Sequence, residues 1–467
     1  MDGSHLSSLD FKTTKANRGP KILPVILVLG VLFWIVATTG GRQVFVKEVL
    51  GEAYDSQAEH FLRGDVGVDI DAIRHEALIV DGKVRMYFGP FPAFVRMPLN
   101  YIYPKGRGYW SRICGFCAGM IALSAFAGLV RMCLRSSQLL PRWQNWLGNV
   151  CLIGFAFASP LLFFLGSPTI YNETIIWGLA WSLAALYFAC RSRTAEGMVL
   201  TFSLIAFSFC AGAALLSRAT FGVPFLLIAP LLALRLFRRN PIRNLAALFL
   251  PVGAAFLFYL FLTYAKFGDF SGMPLRYSVN SDQRQFALKH GLFRLERVPY
   301  SFADYFILRH PNLQHDPPFL RAERFNPSSY PTLYVMPFTE TYSSLVWYSS
   351  WIVLGAVIGV AMLLRSGASD AVDRGIAVAL FAQVIVILSF MGLAQRYTAE
   401  IYPFLVFCFV IFLRSGGTTL YRMRYAIIGL VALSVVINSL ATASVLGRDG
   451  NLPVETRTFW TMDHPRK

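Results

Sequence analysis

The sequence predicts an all-α polytopic membrane protein of about eleven transmembrane helices, within a range of roughly 9–13. Three observations carry this reading. Hydrophobic residues make up 55% of the 467 and charged residues only 15%, with a mean hydropathy of +0.51; a soluble chain of this length is far more polar. Apolar runs approaching the ~20 residues needed to cross ~30 Å of hydrocarbon recur along the chain. The short connections between them alternate between rich and poor in Lys and Arg, as the positive-inside rule requires.

The runs fall in order at Ile22–Thr39, Trp110–Met132, Trp146–Leu165, Glu173–Cys190, Met198–Leu216, Phe221–Leu236 and Leu245–Ala265. After a long connection come Leu345–Leu364, Gly375–Leu393, Ile401–Leu413 and Tyr425–Val445. The first run follows a polar leader and has no small-residue cleavage site behind it, so it reads as a retained anchor and not as a signal peptide. Placing the leader, residues 1–21, in the cytoplasm puts Lys12, Lys15, Arg18 and Lys21 inside. Arg131, Arg135 and Arg142 then fall inside, with Arg191 and Arg193, Arg235, Arg238, Arg239 and Arg243, and Arg414, Arg422 and Arg424. Arg218 and Arg396 are the exceptions in the short outer turns. The membrane domain spans residues 22–445, and a tail of residues 446–467 lies on the outer face.

The net charge of +17 is in part this topology signal. Its basic residues are spread over many connections and form no single patch, so nucleic acid is excluded as a partner. Cys114 and Cys117 form a lone C-x-x-C inside an apolar run, which reads as small-residue helix packing. The seven histidines show no metal-ligand spacing.

Two outer connections are long, residues 40–109 and 267–344. In the first, apolar residues at helical spacing over Val44–Leu62 predict an amphipathic helix along the membrane surface, ended by Arg63-Gly64-Asp65. Asp81-Gly82 between Ala77–Val80 and Lys83–Tyr87 predicts a β-hairpin. Ala93–Tyr101 reads as a second interfacial helix. The second connection holds a helix over Gln283–Phe293 and proline breaks at Pro311, Pro317-Pro318, Pro327, Pro331 and Pro337.

The candidate chemistry clusters on the outer side. Asp55, between Tyr54 and Ser56, is a carboxylate poised to accept a proton from an attacking hydroxyl, and the plain alternative is an ion pair with Lys47 or Arg63. Glu173 opens a span in Tyr171-Asn172-Glu173-Thr174, where capping of the helix dipole competes with a functional reading. Both face one side of the membrane, so a shared cavity is expected, and Glu76 is placed to join them or to make a loop salt bridge. Asp69-Ile70-Asp71 matches a D-x-D pattern, with no Gly-rich phosphate loop beside it. Arg396 and Arg218 suit an anionic phosphate or simple interfacial anchoring. Alternation along the hairpin puts Lys83, Arg85 and Tyr87 on one face, towards an anionic head group.

The ordered segments YDSQAEHFLRGDV, HEALIVDGKVRMYFGPFPAFVRMPL, YNETIIWG, SRATFG, YAKFGDF and QRYTAEIYPFL resemble the bacterial membrane glycosyltransferases of the GT-C superfamily. The likeness is to relatives of the protein mannosyltransferase, lipid A core sugar transferase and arabinofuranosyltransferase groups, and it runs from Ile22 to Phe404. It implies transfer of a sugar from a polyprenyl-phosphate donor, with inversion, to a cell-envelope glycan, lipid or protein on the outer face of the bacterial inner membrane. It implies Asp55 as general base, Glu173 at the acceptor or metal site, and Arg396 on the donor phosphate, with Lys83, Arg85 and Arg218 behind it. A divalent cation, Mg²⁺ or Mn²⁺, is compatible with this reading but not demanded by it. Two departures stand out: Asp55 has no adjacent second acid, so Glu76 must supply any second charge, and only about twenty residues follow the last span. The competing readings are a transporter or flippase of lipid-linked saccharides, which predicts charges near span midpoints, and a non-catalytic membrane scaffold.

Overall fold

The computed structural model describes residues 20–137, 139–236, 241–315, 317–321, 332–335, 339–340, 343–365 and 369–461. The leader up to residue 19, Arg238 and Arg239, the prolines at 327, 331 and 337, and the last six residues of the tail lie outside them.

The chain is a helical membrane bundle. Among the described residues, seven helices are long and apolar enough to cross a membrane, and three shorter apolar helices accompany them. The first span is a short helix, α1 (Leu23–Ala37), whose Leu23, Leu27 and Val31 remain exposed for lipid. A compact excursion follows: α2 (Ala53–Leu62), α3 (Ile70–Ile73), the hairpin β1 (Leu78–Val80) and β2 (Lys83–Arg85), and α4 (Phe91–Ile102). The chain then re-enters the bundle as α5 (Ser111–Ser136).

The hairpin forms where Asp81-Gly82 required it. Both turn residues have positive φ, 49° and 74°, the backbone of a tight two-residue connection, and Leu78 pairs with Arg85, Ile79 with Val84 and Val80 with Lys83. The helix expected over Val44–Leu62 begins only at Ala53, because Leu50 takes a positive φ of 54° and breaks the run ahead of it. Its first residues, Ala53 to Ala58, are buried against protein. Lys83 is exposed and Arg85 turns inward to Asp65, so the strand does not present the expected shared cationic face.

The third expected span is two helices, α6 (Pro141–Phe157) and α7 (Leu161–Gly166). Pro160 has no N–H to continue the ladder, and the opened carbonyls are satisfied from the side. Asn438 donates to Phe157 O at 2.7 Å and Ser159 O at 2.9 Å, and Ser349 donates to Ala158 O at 2.8 Å. Buried backbone in hydrocarbon tolerates such a break only with partners of this kind.

The remaining spans are α8 (Ile170–Ser192), α9 (Gly197–Ser217), α10 (Ala219–Leu236) and α11 (Pro241–Phe267). The second long loop carries α12 (Ser281–His290), capped by Asn280, whose side chain accepts from the Asp282 and Gln283 amides, and α13 (Val298–Ala303). The bundle closes with α14 (Leu345–Tyr348), α15 (Ser350–Leu364), α16 (Ala371–Leu388), α17 (Thr398–Ser415) and α18 (Gly417–Arg448), before a terminal helix α19 (Val454–Thr461).

Both long loops sit at the same end of the bundle and touch. Val279 N donates to Ala77 O at 3.1 Å, and Val335 N to Met391 O at 3.1 Å beside the α16–α17 turn. The last helix is stitched to the first loop. Arg112 pairs with Glu48 at 2.6 Å and donates to Thr39 and Thr456, while the Thr456 hydroxyl donates to Gln43 at 2.6 Å.

Candidate active site

Two polar assemblies occupy this end of the bundle. The first is a buried charge cluster. The Arg96 guanidinium, on α4, donates from Nη2 to Glu173 Oε1 and Oε2 at 2.8 and 2.7 Å, and its Nε lies 3.5 Å from Asp55 Oδ2. None of these three side chains is exposed. Ser111 accepts a further bond from Arg96 at 3.3 Å, and the Cys114 thiol touches the same guanidinium. Asn100, one turn along α4 from Arg96, donates to Asp55 Oδ1 at 2.8 Å and accepts from Trp110 Nε1 at 2.8 Å. Burial pushes the Asp55 carboxyl above its usual range, opposed by the Arg96 charge and the Asn100 bond.

So Asp55 and Glu173 do meet, as their common topology suggested, but through an arginine and away from solvent. Both are fully buried, and neither lines the cavity described next. The sequence reading missed Arg96, whose signal was a lone guanidinium in the apolar, proline-flanked run F-P-A-F-V-R-M-P-L. A charge buried in such a helix must be paired.

The second assembly is a cavity of about 240 Å³, enclosed by the hairpin exit, the starts of α8 and α10, the second loop and the α16–α17 turn. Three of the expected site residues with charged side chains reach it: Glu76, Arg218 and Arg396. Glu76 is 4% exposed and accepts from the Tyr171 hydroxyl at 2.7 Å and from the Tyr87 hydroxyl at 2.9 Å. Burial first, and then the Glu76 charge, push the Tyr87 phenol well above its ordinary range, which keeps it a proton-bearing donor.

Arg396 lies over the Tyr171 ring at 4.6 Å, and Arg396 and Arg218 share the Tyr397 ring at 5.4 and 5.3 Å. Arg218, at the α9–α10 junction, is held by Glu400 at 2.8 Å, a wholly buried carboxylate in the first turn of α17. Tyr171, Tyr397 and Glu400 stand inside segments whose likeness was recognised, yet none carried an expected role. Gly89 makes the wall possible: a Cβ there would stand 2.1 Å from Ser217 O, so only glycine lets the hairpin exit approach α9.

Lys83 and Arg85 do not reach the cavity. β2 ends at Arg85, whose Nη1 meets Asp65 Oδ1 at 3.2 Å, so the alternation that would have joined it to Tyr87 stops short. Asp69, of the D-x-D pattern, accepts from the Ser56 hydroxyl at 2.6 Å and bonds His60 at 3.4 Å. Among the described residues, no group of three or more His, Cys, Asp or Glu side chains is arranged to hold a metal ion.

No protein-family model matches the chain, and no curated protein matches it by sequence. Solved structures do. The apo oligosaccharyltransferase of Archaeoglobus fulgidus aligns over 95% of this chain and 60% of its own, at 13% identity and a TM-score of 0.51. ArnT of Cupriavidus metallidurans bound to undecaprenyl phosphate aligns over 94% and 74%, at 14% identity and a TM-score of 0.44. The archaeal oligosaccharyltransferase AglB of A. fulgidus, in complex with an inhibitory peptide and a dolichol-phosphate, aligns over 90% and 55%, at 14% identity and a TM-score of 0.46. This chain therefore spans little more than half the length of the oligosaccharyltransferases. Over the aligned residues it shares the membrane fold of the first of these, the apo oligosaccharyltransferase.

Proposed function

We propose that this GT-C-like chain is an integral membrane glycosyltransferase that moves a sugar from a polyprenyl-phosphate donor to a hydroxyl acceptor of the cell envelope. One observation carries the reading: Glu76, Arg218 and Arg396 line a single cavity at one end of the bundle, walled by tyrosines and apolar side chains. Two guanidiniums and one carboxylate in a small, half-apolar space match an anionic leaving group, a hydroxyl nucleophile and a lipid-borne substrate.

In the proposed reaction the donor phosphate lies between Arg396 and Arg218, with the sugar against the Tyr87, Tyr171 and Tyr397 rings. The acceptor oxygen attacks the anomeric carbon, its proton passes to Glu76, and the anomeric C–O bond breaks with its electron pair leaving on the lipid phosphate. Charge builds on that phosphate in the transition state, where fixed guanidiniums stabilise it without reorganising. The attack is from the face opposite the leaving group, so the product is inverted. No step is routed through a metal ion.

Asp55, the base implied by the resemblance, takes a different role in this proposal. It is wholly buried and tied to Arg96 and Asn100, so no acceptor hydroxyl reaches it in this arrangement. With Glu173 and Arg96 it braces α2, α4 and α8 behind the cavity.

The test uses purified protein in nanodiscs with labelled polyprenyl-phosphate sugars and an envelope acceptor extract. Wild type transfers label, Glu76→Gln loses about 10²–10⁴-fold, and Asp55→Asn, folded, stays within a few-fold of wild type. Full transfer by Glu76→Gln beside an inactive, folded Asp55→Asn returns the base role to Asp55. Movement of the labelled donor across the bilayer without transfer identifies a flippase instead.

A further inference from the structure

At the end of the bundle opposite the candidate site lies a much larger cavity, of about 2050 Å³. It exceeds the ~300–1,000 Å³ of pockets that enclose a small molecule. Five helices bound it: the start of α1, the ends of α5, α8 and α17, and the first turns of α6. Lys21, Arg131, Arg135, Arg191, Arg193 and Arg414 line it, and no carboxylate does among the described residues.

Two of these cations are fixtures of the wall. Arg193 is held by Asp370 at 2.7 Å and by Asp373, and Arg414 by Asp373 at 2.6 Å. Arg131 makes no hydrogen bond or ion pair among the described residues, and Arg191 donates to the Tyr187 hydroxyl at 3.1 Å. The positive-inside rule puts cations at this end of each span but does not gather them. Here four separate stretches of chain converge on one void. Apolar side chains form two of its other walls, Ile22, Leu23 and Ile26 at the start of α1 and Phe407, Val410 and Ile411 from α17. Leu23, one of these, is 64% exposed and Leu27, one turn along, is 62% exposed, so the cavity opens beside an apolar face of α1.

We propose that this cavity is a binding site for an anionic phospholipid, its phosphodiester held by Arg131, Arg191 and Lys21 and its acyl chains lying along α1 and α17. A free phosphate satisfies the cations but leaves the apolar walls unfilled; a zwitterionic lipid fills the walls but brings a seventh cation into a cavity that already holds six. The inference is independent of the transfer reaction, since no residue of the candidate active site takes part.

The experiment follows lipid retention by native mass spectrometry and thermal unfolding of the full chain in zwitterionic detergent. The probes are dioleoylphosphatidylglycerol, dioleoylphosphatidylcholine and inorganic phosphate. Phosphatidylglycerol is retained and raises Tm, while phosphatidylcholine and phosphate do neither. Arg131→Gln with Arg191→Gln weakens retention about 25-fold, at about fivefold for each cation. Lys21→Gln, at an exposed position, gives about fivefold by itself. Arg142→Gln, at the same end but outside the cavity, changes nothing. The proposal is overturned by an equal effect of phosphate alone, by equal retention of phosphatidylcholine, by retention undiminished in both the double variant and Lys21→Gln, or by an equal loss in Arg142→Gln.

Discussion

Arg96 Nη2 lies 2.7 Å from Glu173 Oε2, with neither side chain exposed to solvent. The same guanidinium faces Asp55 on its other side, so one cation compensates two carboxylates drawn from different helices. This sets the relative placement of α2, α4 and α8, and through them the floor beneath the cavity.

Removing the shared cation is predicted to be severe. Arg96→Met leaves two buried carboxylates without a partner, an expected loss of about 3–5 kcal/mol. The triple change Arg96→Met, Asp55→Asn, Glu173→Gln removes the charges together and recovers most of it. Thermal unfolding in one lipid composition decides; equal Tm for wild type and Arg96→Met refutes the strut.

Phosphate recognition predicts a separation of kinetic effects. Arg396→Ala is expected to raise the KM for the lipid-linked donor with a smaller change in kcat, because in the proposed complex its contact to the phosphate is made before and during transfer. Arg218→Ala, nearer in this proposal to the charge that develops, lowers kcat by about 10²–10³-fold. A titration of rate against donor concentration separates the two.

Glu400 acts at one remove. Its contact is Arg218, so Glu400→Gln is expected to reproduce part of the Arg218→Ala loss while leaving acceptor KM unchanged. Rescue by Glu400→Asp, which keeps the charge, distinguishes positioning of the guanidinium from simple packing.

The first loop should carry an acid-labile element. Partial burial pushes the Asp65 carboxyl up, but bonds from His60, Arg85 and the Val66 amide more than offset this and hold it at about 2, below the ordinary 3.8. A depressed carboxylate contributes stability above its unfolded value and loses it as pH falls. Wild type should therefore lose this contribution between pH 3.8 and about 2, whereas Asp65→Asn shows no such step. Tm measured across that window is the check.

At Gly89 a side chain has nowhere to go, since its Cβ would sit 2.1 Å from Ser217 O and 2.3 Å from Leu216 O, both backbone. Gly89→Ala is predicted to cost about 3 kcal/mol, at the upper end of overpacking, and to lower activity by moving Tyr87 and Glu76 away from Arg218. Unchanged Tm and activity would sink this account.

The spans were legible because hydrocarbon thickness imposes a length and a composition that composition alone can reveal. The hairpin was legible because Asp81-Gly82 answers a local backbone requirement. What was not legible depended on contacts distant in sequence. Pro160 splits a helix only because Asn438 and Ser349 are there to accept the break. The partner of Asp55 was not legible because Arg96 stands 41 positions later in the chain. Arg85 follows the strand's alternation as expected, yet Asp65 captures it, and that choice lies in tertiary geometry.

Arg112 links the start of the chain to its end, and so to the order of synthesis. Its guanidinium is buried among Glu48, Thr39 and Thr456, the last contributed by α19. As the chain emerges from the ribosome, Arg112 can meet Glu48 and Thr39 early, but its bond to Thr456 and the Thr456–Gln43 bond close only after residue 456 has arrived. The contacts at the base of the first loop are therefore completed last, and until then Arg112 Nη2 and the Gln43 side chain are left to water or lipid head groups.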